Sequence, residues 1–218
     1  SIKPDIAIEF RQQYNGPGMR KFGNMFRAFD CPNDPVTNRI RTSDVKLLCG
    51  ETAVHSDPQT WNPAEKVELA AFEVLNGFFG VPQMSVHLRN IPEDHLKMIR
   101  FYTRYWKEHA DILMDGHFSP INPLANYPIL KAEKNGHAIV GVYEEVIASF
   151  NGEKRVDLLN ATLAKHLVLR NTGESGAYHL TTWDCQGNVQ LNEQREFPAG
   201  LIDLEVPASG MVRIERLR

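Results

Sequence analysis

The hydrophobic pattern changes period in mid-chain, and this change limits the fold more than any other feature. Up to about Pro123, short apolar runs alternate with stretches whose apolar residues recur every three to four positions, the grain of a parallel α/β unit. Beyond it, alternation of period two takes over. In Ile202-Asp203-Leu204-Glu205-Val206 the apolar residues share one face and the acids the other, and Val212-Arg213-Ile214-Glu215 repeats the pattern. Turns are signalled at Asn135-Gly136, Asn151-Gly152, Gly187-Asn188 and Ser209-Gly210. The expected fold class is α/β followed by all-β: an α/β part over 1–122 and a small antiparallel β-sandwich over 123–218. The prolines of 122–128 mark the boundary.

In the first part, strands are expected at 5–10, 25–29, 51–55 and 83–88, with a long loop over 11–24 around Gly16-Pro17-Gly18. Asn62-Pro63-Ala64-Glu65 carries an N-cap residue, a proline at the first helical position and an acid at the third. A helix should follow, burying Val67, Ala70, Ala71, Val74, Leu75 and Phe78. A second helix starts at Pro92-Glu93-Asp94, buries Leu96, Ile99, Trp106, Ala110 and Leu113, and ends near Gly116. A third starts at Asp34-Pro35, with Val36, Ile40 and Leu47 on its apolar face.

The 218 residues are 42% apolar and 23% charged, enough to bury a core and too apolar for a disordered chain. Lys plus Arg number 24 against 27 Asp plus Glu, so no basic surplus exists to hold a phosphate backbone, and no nucleic-acid partner is expected. Apolar runs fall short of the roughly 18 residues that cross a bilayer, so a membrane partner is not expected either. The chain reads as soluble. Cys31, Cys49 and Cys185 are too few and too widely spaced for a disulfide framework or a zinc pattern. The start at Ser1, with Ile6-Ala7-Ile8 close behind, suggests a piece of a longer chain.

Ligands of parallel α/β folds gather at the carboxyl ends of strands, which here puts forward Glu9, Arg11, Arg27, Asp30, His55 and Asp57. Each also has an ordinary structural role: an acid before a helix commonly caps it, and an arginine three residues from an aspartate forms a solvated ion pair. His55-Ser56-Asp57 cannot be a hydrolytic triad on a strand, because alternation sends Ser56 to the opposite face. A zinc site at His55 and Asp57 lacks a third ligand at motif spacing. Trp61 either stacks on a sugar face or packs at the start of the helix after Asn62. Tyr102, Tyr105 and Trp106 have core spacing. Asn160-Ala161-Thr162 matches a glycosylation acceptor, a triplet common by chance.

The run Met19-Arg20-Lys21-Phe22-Gly23-Asn24-Met25-Phe26-Arg27-Ala28-Phe29-Asp30-Cys31-Pro32-Asn33-Asp34, continued by Asn38-Arg39, resembles the α-galactosidase (melibiase) members of glycoside hydrolase family 36. So do Thr52-Ala53-Val54-His55-Ser56-Asp57, Val81-Pro82-Gln83-Met84-Ser85-Val86 and Phe101-Tyr102-Thr103-Arg104-Tyr105-Trp106, in the same order along the chain. The resemblance implies the C-terminal half of a (β/α)8 (TIM) barrel, strands five to eight, followed by a β-domain. It makes Asp30 the general acid/base of a retaining hydrolase acting on terminal α-galactosides, in a pocket that should bury it and raise its pKa. Arg27 would lie beside it, and Glu9, Arg11, His55, Asp57 and Trp61 would contact substrate. No metal or cofactor is implied. The nucleophile strand would lie outside this chain, which by itself should not hydrolyse glycosides. The open half-barrel should pair with the N-terminal remainder of the parent or with another copy, in a periplasmic or extracellular setting. A different class of reading is a non-catalytic carbohydrate-binding or accessory module, or an inactive relative that keeps the fold.

Overall fold

The computed structural model describes residues 3, 6–11, 15–31 and 33–217. It opens with three short parallel strands in the order β1 (Glu9–Arg11), β2 (Met25–Arg27) and β3 (Ala53–His55). The register sets Phe10, Phe26 and Val54 side by side, and one step further Arg11, Arg27 and His55. Phe26 and Val54 are fully buried against Val45 and Cys49 of helix α1 (Pro35–Cys49), with Phe10 packed alongside. Alternation therefore turns Glu9, Arg11, Arg27 and His55 to the face opposite that helix. The strand expected at 5–10 begins at Asp5, outside the described residues. The fourth expected strand, 83–88, is not formed: Val81 and Met84 make single parallel bridges to His55 and Gln59. Pro82 between them has no N–H to give a ladder.

Asp34 caps α1, accepting the Thr37 N–H at 2.9 Å, with Pro35 in the first turn. Its buried face differs from the expected one. Asn38, Arg39, Thr42, Ser43, Lys46 and Cys49 are buried, whereas Leu47 is exposed. Buried polar groups there find specific partners: Arg39 reaches Asn76 Oδ1 at 2.8 Å and lies over the Tyr143 ring, and the Lys46 ammonium donates to the carbonyls of Phe79 and Leu113. Helix α2 (Val67–Asn76) starts four residues after the expected turn. Asn62 Oδ1 accepts the Ala64 N–H, making a turn that ends at Glu65 instead of a cap. Helix α3 (Glu93–Glu108) begins where expected, but breaks at His109 before the short α4 (Ala110–Asp115). Its buried face is His95, Met98, Phe101, Tyr102 and Tyr105, with Leu96, Ile99 and Trp106 on the flanks. Gly116 ends α4 where a Cβ would collide with Ile112 O and lie 2.9 Å from Glu133 O, so only glycine lets the chain turn into the sheet.

A seven-stranded sheet has β11 (Val189–Phe197), β10 (Gly176–Trp183), β13 (Met211–Arg216), β8 (Arg155–Asn160), β6 (His137–Val142), β5 (Ile129–Lys134) and β4 (His117–Ile121) as its neighbours in order. A three-stranded sheet has β12 (Gly200–Glu205), β9 (His166–Asn171) and β7 (Ile147–Phe150). The two sheets share one core, in which Val140, Val156, Leu158, Leu180 and Ile214 meet Phe150, Leu169, Ile202 and Leu204. Leu130, Ala132, Ile139, Leu159 and Met211 point the other way, into a second core with Phe78, Phe79, Met98 and Tyr102. The large sheet is thus covered on both faces, and β8 is buried along nearly its whole length.

Two expectations change. The pairing is not wholly antiparallel, since β6 with β8 and β7 with β9 run parallel. The large sheet also begins at His117, before the boundary expected at 122–123. Pro123–Ala125 is a 3-10 turn joining β4 to β5, flanked by Asn122 and Asn126 in left-handed conformation. Residues before and after the turn share the core around Phe78, Leu130 and Leu159.

Candidate active site

Six of the seven residues put forward from the sequence meet at the carboxyl ends of β1–β3, and Arg27 is their hub. Its side chain is 8% exposed. One guanidinium nitrogen donates to Asp57 Oδ1 at 2.9 Å, another lies 3.3 Å from Asp30 Oδ1, and Nε lies 3.6 Å from Glu9 Oε1. Arg11 reaches Asp30 Oδ2 at 3.5 Å from the next strand. His55 Nδ1 sits 2.5 Å from Glu9 Oε2 and 3.0 Å from the Gln83 amide. An ionised carboxylate only accepts, so Nδ1 is the ring nitrogen that donates to Glu9.

The six do not play equivalent roles. Asp57 is enclosed, its side chain 4% exposed, and both oxygens are in use: Oδ1 on Arg27 and Oδ2 on the Cys31 N–H at 2.7 Å. Asn38 of α1 clasps its backbone from both sides, accepting from Asp57 N at 3.0 Å and donating to Asp57 O at 2.9 Å. Asp57 therefore fixes Arg27 and the 28–31 loop, and is too enclosed for the direct substrate contact expected of it. Asp30 stands at the other extreme, half exposed at 52% with two guanidinium groups against it. The enclosing pocket expected around it is not built by the described residues. Ser56 is buried, its hydroxyl accepting the Gln83 N–H at 3.1 Å, which removes it from any triad.

Trp61 lies elsewhere. It is 8% exposed in the core under α2 and α3, and its indole N–H donates to His95 Nδ1 at 3.0 Å, so it offers no free ring face to a sugar. Gln83, Asn38 and Arg41, which donates to Asp30 O at 2.7 Å, complete the site and were not singled out by sequence reasoning. Asn38 and Gln83 stood within the runs that carry the resemblance without a role assigned to them, and the extended runs on either side of Pro82 and the polar stripe of α1 were further signals.

A second polar cluster went undetected. His109, His137 and Asp157 place ligand-type atoms within 4.8 Å of one another. The geometry suits charge pairing better than a cation. Asp157 accepts from Tyr105 at 2.7 Å and from both Arg155 and Arg213, while His109 takes the Arg155 guanidinium on Nε2 at 2.9 Å. Two arginines on the one carboxylate supply the positive charge that a metal would bring.

No protein-family model matches the chain, and no curated protein matches it. The comparisons therefore give the α-galactosidase resemblance no support at family level. Among solved structures, a GH39 β-xylosidase from Caulobacter crescentus is similar at 8% identity and a TM-score of 0.43, over 100% of this chain and 58% of that one. The chain thus spans less than two thirds of the length of this neighbour.

Proposed function

We propose that the strand ends of β1–β3 form part of the sugar site of a retaining glycoside hydrolase of the α-galactosidase type, with Asp30 as general acid/base. The observation that carries this reading is the shared guanidinium: Arg27 holds Glu9, Asp30 and Asp57 at the carboxyl ends of three parallel strands. Asp30 is the carboxylate of this group most open to a ligand, while Glu9, Arg11 and His55 ring it with acceptors and donors for sugar hydroxyls.

Retaining hydrolysis needs a second carboxyl about 5–5.5 Å from the acid. In this proposal it comes from a further parallel strand beside β1, whose outer edge is unpaired among the described residues. Residues 1–122 then contribute half of a barrel and 123–218 a β-domain, and the partner of the open edge is the rest of a longer chain. Asp30 would protonate the leaving oxygen, then take a proton from water as the glycosyl–enzyme bond breaks.

The test is hydrolysis of raffinose, whose leaving group needs acid assistance, by this chain and by a longer chain with additional upstream parallel strands. Turnover is expected in the longer chain alone. There, Asp30→Asn should lower kcat/KM by roughly 10²–10⁴-fold. On an activated aryl galactoside, azide, which needs no general base, should restore turnover to that variant. Unchanged turnover in Asp30→Asn removes Asp30 from the chemistry. Turnover by this chain at an ordinary rate overturns the placement of the nucleophile outside it. A carbohydrate-binding module would bind the sugar in both chains and hydrolyse it in neither.

A further inference from the structure

A cavity of about 420 Å³ opens at the mouth of the core between the two sheets of the second half, on elements separate from β1–β3. Strand alternation explains why it is polar. Tyr178 and Leu180 of β10 point into that core, and the next inward position is Thr182, where a hydroxyl replaces a hydrocarbon. Thr182 is 2% exposed as a residue and lines the cavity, where its hydroxyl is open to a ligand. A ligand hydroxyl in the cavity would take the hydrogen bond that this group otherwise makes to water.

The rest of the lining offers further polar groups. Lys165, Glu205 and Glu68 face the cavity without an ion-pair partner among the described residues, and Gln186 adds an amide and Leu191 an apolar wall. Asp184 is different, because its carboxylate is consumed by the N–H groups of Gln186 and Asn188 and by the Asn188 amide. An anion would face two carboxylates, and a simple cation would face Lys165. A neutral ring carrying several hydroxyls suits all the groups at once, since each hydroxyl both donates to a carboxylate and accepts from an ammonium. The volume lies within the range of small-ligand pockets, roughly 300–1,000 Å³.

We propose that this cavity is a carbohydrate subsite for a single neutral pyranose unit, independent of the chemistry at the β1–β3 strand ends. The experiment is a methyl-resolved NMR titration of the chain with D-galactose, D-glucose and D-xylose, with glycine as a zwitterionic control. The methyl signals of Leu191 and Thr182 should shift saturably with at least one sugar, with Kd on the order of 1–10 mM. Thr182→Val keeps the branched shape, and Glu205→Ala and Lys165→Ala change exposed positions at strand ends. Each should weaken binding about tenfold, the worth of one hydrogen bond to a charged or buried group. Asp30→Asn should leave binding unchanged, which separates this site from the proposed hydrolytic one. Absence of saturable shifts with all three sugars overturns the proposal, as does unaltered affinity in all three cavity variants. Stronger binding of glycine than of any sugar overturns the neutral-ligand assignment.

Discussion

Arg27 is the residue on which the candidate site depends. Its guanidinium is buried against the enclosed carboxylate of Asp57. Removing one partner of such a pair leaves a charge without compensation, so Arg27→Met should destabilise the fold by about 3–5 kcal/mol in chemical denaturation. Combining it with Asp57→Asn should cost less than the two changes added, by about 0.5–3 kcal/mol, because the uncompensated charge is gone. Glu73 gives a second test, with a sign that depends on pH. Burial, reinforced by Glu65 and Asp34, pushes its carboxyl from the ordinary 4.5 up to about 7. Between those values the folded state holds a proton that the unfolded state has released, so its contribution to stability falls as pH rises through the window. Glu73→Gln should therefore leave stability nearly unchanged at pH 4. At pH 8 it should raise it by about 1 kcal/mol, once screening of this partly exposed group is allowed for. Urea melts at the two pH values measure the difference.

Among the elements, α1 starts where its local cap signal placed it. Asp34 Oδ1 accepts the Thr37 N–H, and Oδ2 the Thr37 hydroxyl at 2.5 Å. Asp34→Ala should cost about 1 kcal/mol, read as a drop in denaturation midpoint with unchanged slope. The same kind of signal at Asn62-Pro63 misplaced the start of α2, because Asn62 Oδ1 bonds two residues ahead and the chain turns once more before Val67. Asx turns and caps use the same atoms, and only the packing of the next few residues tells them apart. The polar buried face of α1 was illegible for a related reason. Asn38, Arg39 and Lys46 are tolerated inside only because Asp57, Asn76, Phe79 and Leu113 arrive from other elements to satisfy them. The strand-end residues could be read because alternation alone turns Glu9, Arg11, Arg27 and His55 to one face. Trp61 could not, since its burial depends on His95, thirty-four residues away, which accepts its N–H.

At the scale of the molecule, the helices are joined to the large sheet by an apolar core with one ionic centre, Asp157. Tyr105 comes to it from α3, His137 from β6, Arg155 from its own strand and Arg213 from β13, with Glu215 beyond Arg155 and His109 at the α3–α4 break. Elements so far apart in sequence made this centre invisible to motif reading. Burial pushes the Asp157 carboxyl up, but His137 3.3 Å away and hydrogen bonds from Arg213 and Arg155 outweigh it and hold the group well below the ordinary carboxylate range. Its stabilisation is therefore fully present above the unfolded value near 3.8, and is lost as pH falls through that value toward the lower folded one. Burial lowers His109 below its ordinary 6.5, so the unfolded state takes up that proton first. His109 therefore contributes a loss of stability on acidification through pH 6.5, opposed in that window by the gain from Glu73, and Asp157 adds a further loss below about pH 4. Asp157→Asn should cost about 3–5 kcal/mol at pH 7, where it leaves two guanidinium groups facing a neutral amide, and should abolish the lower loss while keeping the upper. Denaturant melts from pH 7 to 3, followed through the near-ultraviolet signal of Tyr102, Tyr105 and Trp106 at the helix–sheet contact, decide it. A wild-type curve flat below pH 4 would mean that the charge of Asp157 does not hold these two layers together.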